Sequence, residues 1–82
     1  MSWNHRILAT EEFHLNGESE IVFSIHEVYY DKEGIPNGYT ANPVKLSSDT
    51  LKGMKWTLKR IEECMKKPIL RGDDRFPQEY KP

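Results

Sequence analysis

The chain has 82 residues, 37% hydrophobic and 30% charged, with a formal net charge of −1, which suffices for one domain and leaves nothing for a second core. No apolar run approaches the roughly 20 residues needed to cross a bilayer, and a single cysteine, Cys64, excludes an internal disulfide. A domain of this size buries only about 60% of its unfolded surface, so self-association is an expected route to added stability.

No basic segment followed by an apolar run precedes Trp3-Asn4-His5, so a cytoplasmic setting is expected. The first predicted strand runs from Trp3 to Ala9. Phe13-His14-Leu15 leads into Asn16-Gly17, a dipeptide suited to the positive φ of a tight hairpin, so strands one and two are predicted to be antiparallel neighbours. Glu20 to Tyr30, rich in β-branched and aromatic residues between two polar turns, reads as the central strand. A period of two places Ile21, Phe23 and Ile25 on one face, taken as the core face, and Val22, Ser24 and His26 on the other. Continued, that register buries Glu27 with the core set, at a cost of several kcal/mol for an unpaired carboxylate. A bulge at His26-Glu27 is therefore predicted, turning Val28 and Tyr30 inward.

Asp31 to Gly38 is dense in turn formers. The third strand begins near Tyr39 and meets Pro43, which cannot donate to a ladder, so it is an edge strand or bulges before Val44-Lys45-Leu46 resumes. Ser47-Ser48-Asp49-Thr50 supplies the cap and acidic opening of a helix, and Leu51, Met54, Leu58, Ile61 and Met65 form an apolar stripe at spacings of three and four. Gly53 weakens the helix without overturning the pattern, and Pro68 ends it. The expected fold is α+β: a three-stranded antiparallel β-meander followed by one amphipathic α-helix packed on one sheet face. It occupies residues 1–70, and residues 71–82 are expected to be a mobile polar tail.

Charge is unevenly distributed. Residues 1–35 carry two cationic side chains against seven carboxylates, and residues 49–67 carry six against three. Two solvated faces of one domain explain this, although such a dipole also steers charged partners.

Trp3-Asn4-His5-Arg6, Ile25-His26-Glu27-Val28-Tyr29-Tyr30-Asp31, Tyr39-Thr40-Ala41-Asn42-Pro43, Trp56-Thr57-Leu58 and Lys67-Pro68-Ile69-Leu70 together resemble a family of short prokaryotic proteins to which no activity is attached. The resemblance spans Trp3 to about Leu70 and implies a compact domain with nothing catalytic. The order of strands and helix is also similar in topology to the HicB-type antitoxin domain, a likeness that does not license function.

Three sets of residues are candidate sites. His26 and Glu27, flanked by Tyr29 and Tyr30, pair a base with a carboxylate, but neighbours on a strand point to opposite faces, and no nucleophile or oxyanion group is placed to match. His5, His14, His26 and Cys64 lack the short paired spacing of a zinc site, so no metal or other cofactor is expected. Trp56 lies almost opposite the apolar stripe at about 100° per residue. Arg60, four residues on, is placed to stack on it, and Lys52 and Lys59 flank it. Either a partner covers Trp56 or Ile69, Leu70 or Phe76 folds back over it. The reading favoured by these residues is a non-enzymatic protein-interaction module, self-associating as a homodimer, that uses the edge strand near Tyr39 or the face of Trp56, Arg60, Lys52 and Lys59. The alternative is a nucleic-acid-associated regulator of the antitoxin type working through the basic helix, against which the net charge argues.

Overall fold

The computed structural model describes residues 2–81. Strand β1 (Ser2–Phe13) and strand β2 (Ser19–Tyr30) pair antiparallel without interruption, from Ser2 opposite Tyr30 to Phe13 opposite Ser19. Their turn is closed by the His14 N–H donating to the Glu18 carbonyl at 2.8 Å, with Gly17 at φ +88°, where a side chain would be strained. Asp31 organises the next turn by accepting the N–H groups of Glu33 and Ile35, both at 2.9 Å, and β3 (Pro36–Tyr39) follows, antiparallel to β2. The expected α+β meander is present. A fourth strand, β4 (Leu70–Arg71), lies parallel to β1 and makes the sheet mixed, in the order β3-β2-β1-β4.

The bulge at His26-Glu27 is absent: β1 and β2 keep step through both residues, and the irregularity lies at Tyr29/Tyr30 against β3. The physical reason is that the core is on the other face from the one expected. Leu8 and Val28 are wholly buried and form the core with Leu70, whereas Phe23 is 52% exposed. Glu27 shares its face with Phe23, so plain alternation does not place it in the core and no extra residue is needed.

What covers the Leu8/Val28 face is the C-terminal segment. From β4 the chain donates the Gly72 N–H to the Ala9 carbonyl at 3.0 Å and the Asp73 N–H to the Tyr39 hydroxyl at 2.8 Å. A short turn (Asp73–Arg75) then brings the Phe76 ring to 4.8 Å from that of Tyr39. Residues 78–80 return beside β4 through Arg71 N–H to Gln78 and Tyr80 N–H to Ile69, each 2.7 Å. The stretch read as a polar tail thus carries the fourth strand's continuation and one side of the core.

The third strand ends at Tyr39, where it was expected to begin, so Pro43 lies outside it and only isolated bonds continue the pairing. Thr40 still donates to the Glu27 carbonyl at 3.0 Å, residues 41–43 swing away, and Val44 returns with one bond to the Ile25 carbonyl at 2.8 Å.

Helix α1 (Leu51–Glu63) is capped by Thr50, whose side-chain oxygen accepts the Gly53 N–H at 2.9 Å; Asp49 lies before the cap, so the first turn carries no acid. One turn of 3-10 helix (Cys64–Lys66) follows. The helix docks chiefly against β1, at the end near Trp3 and His5. Its more covered residues are Gly53, Met54, Thr57, Arg60, Ile61 and Cys64, so Met54 and Ile61 of the stripe are partly covered, while Leu51 and Met65 are mostly exposed and Leu58 is close to half exposed. The apolar stripe is therefore turned by roughly a quarter of the helix circumference from the side that meets the sheet.

Candidate functional site

Trp56 is 59% exposed and is not covered by Ile69, Leu70 or Phe76. Its neighbour is the one anticipated, Arg60, but a third residue completes the group. The Arg60 guanidinium carbon lies 4.8 Å from the ring centroid of Trp56 and 4.8 Å from that of Trp3, so one cation contacts two indoles. The helix supplies Trp56 and Arg60 one turn apart, and β1 supplies Trp3 from its first residues. Both rings present a negative π-surface to the cation, and the contact fastens the helix to the sheet in a region where few apolar side chains are buried.

Below this stack lies a polar row. His5 meets the Trp3 ring edge-on at 5.4 Å and stands opposite Glu27 across the β1–β2 ladder, while Glu27 accepts a hydrogen bond from the Tyr29 hydroxyl at 3.1 Å. Burial holds the imidazole of His5 below its ordinary pKa, the nearby Arg60 cation pushes the same way, and Glu27 opposes both. Donation to Glu27 is the main reason the Tyr29 hydroxyl holds its proton above the usual phenol value. Glu27 thus hydrogen-bonds Tyr29 and faces His5 across the ladder, not its sequence neighbour His26, and the buried His5 Nδ1 has no hydrogen-bond partner.

His26 occupies the opposite face and is 5% exposed. Its Nδ1 lies 2.9 Å from the Thr40 carbonyl, which only accepts, so Nδ1 carries the proton; Nε2 is then the acceptor for the Ser24 hydroxyl at 2.9 Å. A hydroxyl, a base and an orienting carbonyl are therefore in line. The Tyr39 ring sits edge-on to the imidazole at 5.5 Å, and burial encloses the base, so the three groups hold β2 to the segment after β3. Tyr39, expected on an interaction surface, faces this side instead, between His26 and Phe76, and is not brought near Trp56.

On the same face Arg6 is buried. It donates to the Tyr30 hydroxyl at 2.8 Å and to the Pro68 carbonyl at 2.7 Å, and the Tyr30 hydroxyl passes its own proton to Asn4 at 2.7 Å. Cys64 is buried beside it, and desolvation raises the thiol pKa despite the opposing pull of the Arg6 cation, so the sulfur is kept as a thiol. His14 is exposed, 3.2 Å from Glu20. The four residues weighed as metal ligands thus lie in separate surroundings.

Lys52 and Lys59 flank Trp56 on the outer side of the helix, as spacing requires, and both are exposed. Trp3 as a partner of Arg60, and His5 as a neighbour of Glu27, were not anticipated from the sequence. A two-residue Asn16-Gly17 turn would pair Trp3 with Tyr30 and His5 with Val28; the turn closes instead between His14 and Glu18, with three residues between them, and this shift by one pairs Trp3 with Tyr29 and His5 with Glu27 on one face. Among the described residues no helix is long and apolar enough to cross a membrane. No family model, no curated protein and no solved structure matches the chain.

Proposed function

We propose that the protein is a non-enzymatic protein-interaction module of the cytoplasm that associates with itself through its helix. The observation that carries this reading is the distribution of apolar surface. Among the described residues five hydrophobic side chains are buried, and ten large ones are exposed, including Leu51, Trp56, Leu58 and Met65 of the helical segment. So much exposed apolar surface against so small a core is characteristic of chains that another macromolecule covers, and exposed tryptophan beside arginine is a common anchor of such contacts. The nucleic-acid alternative has less support, because the chain carries a net charge of −1 and the Arg60 guanidinium of the basic helix is engaged by two indoles.

Sedimentation equilibrium tests the proposal. A mass that rises with concentration above the 9.7 kDa monomer is expected, as is weaker association after Leu58→Ser or Trp56→Ala. A monomer throughout, with partner capture unchanged by Trp56→Ala, overturns it.

A further inference from the structure

The hydroxyl of Ser24 has the surroundings of a nucleophile. Ser24 and His26 stand two apart on β2 and so share a face, which brings Ser24 Oγ to 2.9 Å from His26 Nε2. On its other side the ring donates from Nδ1 to the Thr40 carbonyl at 2.9 Å and meets the Thr40 hydroxyl at 3.3 Å, so Nε2 keeps its lone pair for Ser24. A hydroxyl within hydrogen-bond reach of a base, with the base oriented by a third group, is the arrangement that activates serine. His26 is buried whereas Ser24 is only partly so, and the hydroxyl stands between the imidazole and solvent.

The backbone beside Ser24 adds a donor. The carbonyls of Ile25 and Glu27 accept from Val44 and Thr40, so the backbone groups of the odd-numbered residues of β2 point away from β1, toward the sheet edge. Residues 41–43 swing away from that edge, and the Ile25 N–H is left with no hydrogen-bond partner among the described residues. It belongs to the residue next after Ser24 and is free to hold the oxygen of a carbonyl that Ser24 Oγ attacks. No lysine or arginine bonds to Ser24, His26 or Thr40 among the described residues, and the ring of Tyr39 stands edge-on to the imidazole at 5.5 Å. Such surroundings suit an uncharged acyl group and not a phosphoryl group, whose charge needs a cation.

We infer that Ser24 is an acyl-acceptor site, which takes a small uncharged acyl group from an activated ester or thioester. Ser24 Oγ attacks the carbonyl carbon and its proton passes to His26 Nε2. The bond from that carbon to the leaving oxygen or sulfur breaks, and the proton departs with the released alcohol or thiol. One bond to the carbonyl carbon replaces another, so no oxidant or further reactant is required. The enclosed imidazole is covered by the acyl group once it is in place, so water does not reach Nε2 and the ester on Ser24 persists. The result is a covalent modification of the chain without turnover, and it does not rest on self-association.

Acetylation by p-nitrophenyl acetate, located by peptide mass spectrometry, tests the inference. Ser24 of the native protein is expected to be acetylated at least about 100-fold faster than the exposed Ser19 and Ser47, the order of gain that a positioned base supplies. That advantage is expected to vanish in His26→Gln, and also in urea, where the imidazole no longer meets the hydroxyl. Acetylation of native Ser24 at the rate of Ser19 and Ser47, or an advantage that survives in folded His26→Gln or in urea, overturns the inference. Should His26→Gln fail to fold by circular dichroism, the comparison of native with urea-unfolded wild type decides alone. Continued release of nitrophenolate that Ser24→Ala abolishes would overturn the persistence of the ester.

Discussion

Replacing Leu8 and, separately, Phe23 by alanine ranks the two sheet faces directly. Leu8 is fully buried among Val28 and Leu70, with Tyr30, Tyr39 and Phe76 around it. Deleting its side chain loses about three methylene-sized groups at about 0.8 kcal/mol each, and the cavity brings the cost to about 3–4 kcal/mol. Phe23 is 52% exposed and has one aromatic neighbour, Tyr80, edge-on at 5.5 Å. Half of a phenylalanine's burial, about 1 kcal/mol, plus a fraction of a kcal/mol for the aromatic pair gives about 1–2 kcal/mol. A chain of this length is stable by about 4–12 kcal/mol in all, so Leu8→Ala removes a large share and Phe23→Ala a modest one. Urea unfolding followed by far-ultraviolet circular dichroism gives both values, compared at equal m. A Phe23→Ala cost equal to or above that of Leu8→Ala would refute the assignment of the core to the Leu8/Val28 face.

Two further outcomes follow from the buried ionisable groups. His5 titrates below its ordinary value in the fold, so between that lowered value and 6.5 the unfolded chain holds more protons than the folded one. Stability is accordingly full above 6.5, declines as the pH falls through it, and levels off below the folded value; thermal melts should show this slope, and His5→Gln should flatten it. Equal slopes in the two proteins would remove His5 as the cause. The Cys64 thiol, buried with its pKa raised, should react with an aromatic disulfide reagent at least about 100-fold more slowly in the native protein than in urea. A native rate close to the unfolded one would mean that the segment after the helix is not seated against β1.

Much of the local structure was legible in the residues themselves. Asn16-Gly17 marked the hairpin because Gly17 accepts positive φ, but the loop holds three residues where the dipeptide suggests two, and that difference of one decides that Trp3 meets Tyr29 and His5 meets Glu27. Thr50 caps the helix and Pro68 follows its end, both through local backbone chemistry. Arg60 stacks on Trp56 because side chains four apart on a helix share a face. What alternation cannot say is which face of a sheet becomes the inside. Ile21, Phe23 and Ile25 are more apolar than Ser24 and His26, yet the core lies with the latter. Residues 70–76, distant in sequence, cover Leu8 and Val28 there, and Ser24, His26 and Arg6 find internal hydrogen-bond partners. Likewise the stripe on the helix announced a buried face, but the helix docks a quarter turn away through Arg60 and Cys64, and only that placement leaves Leu51, Leu58 and Met65 in the open. Periodicity is local and reports that a face is apolar; whether this chain or another covers it depends on contacts between segments far apart, which no local pattern records.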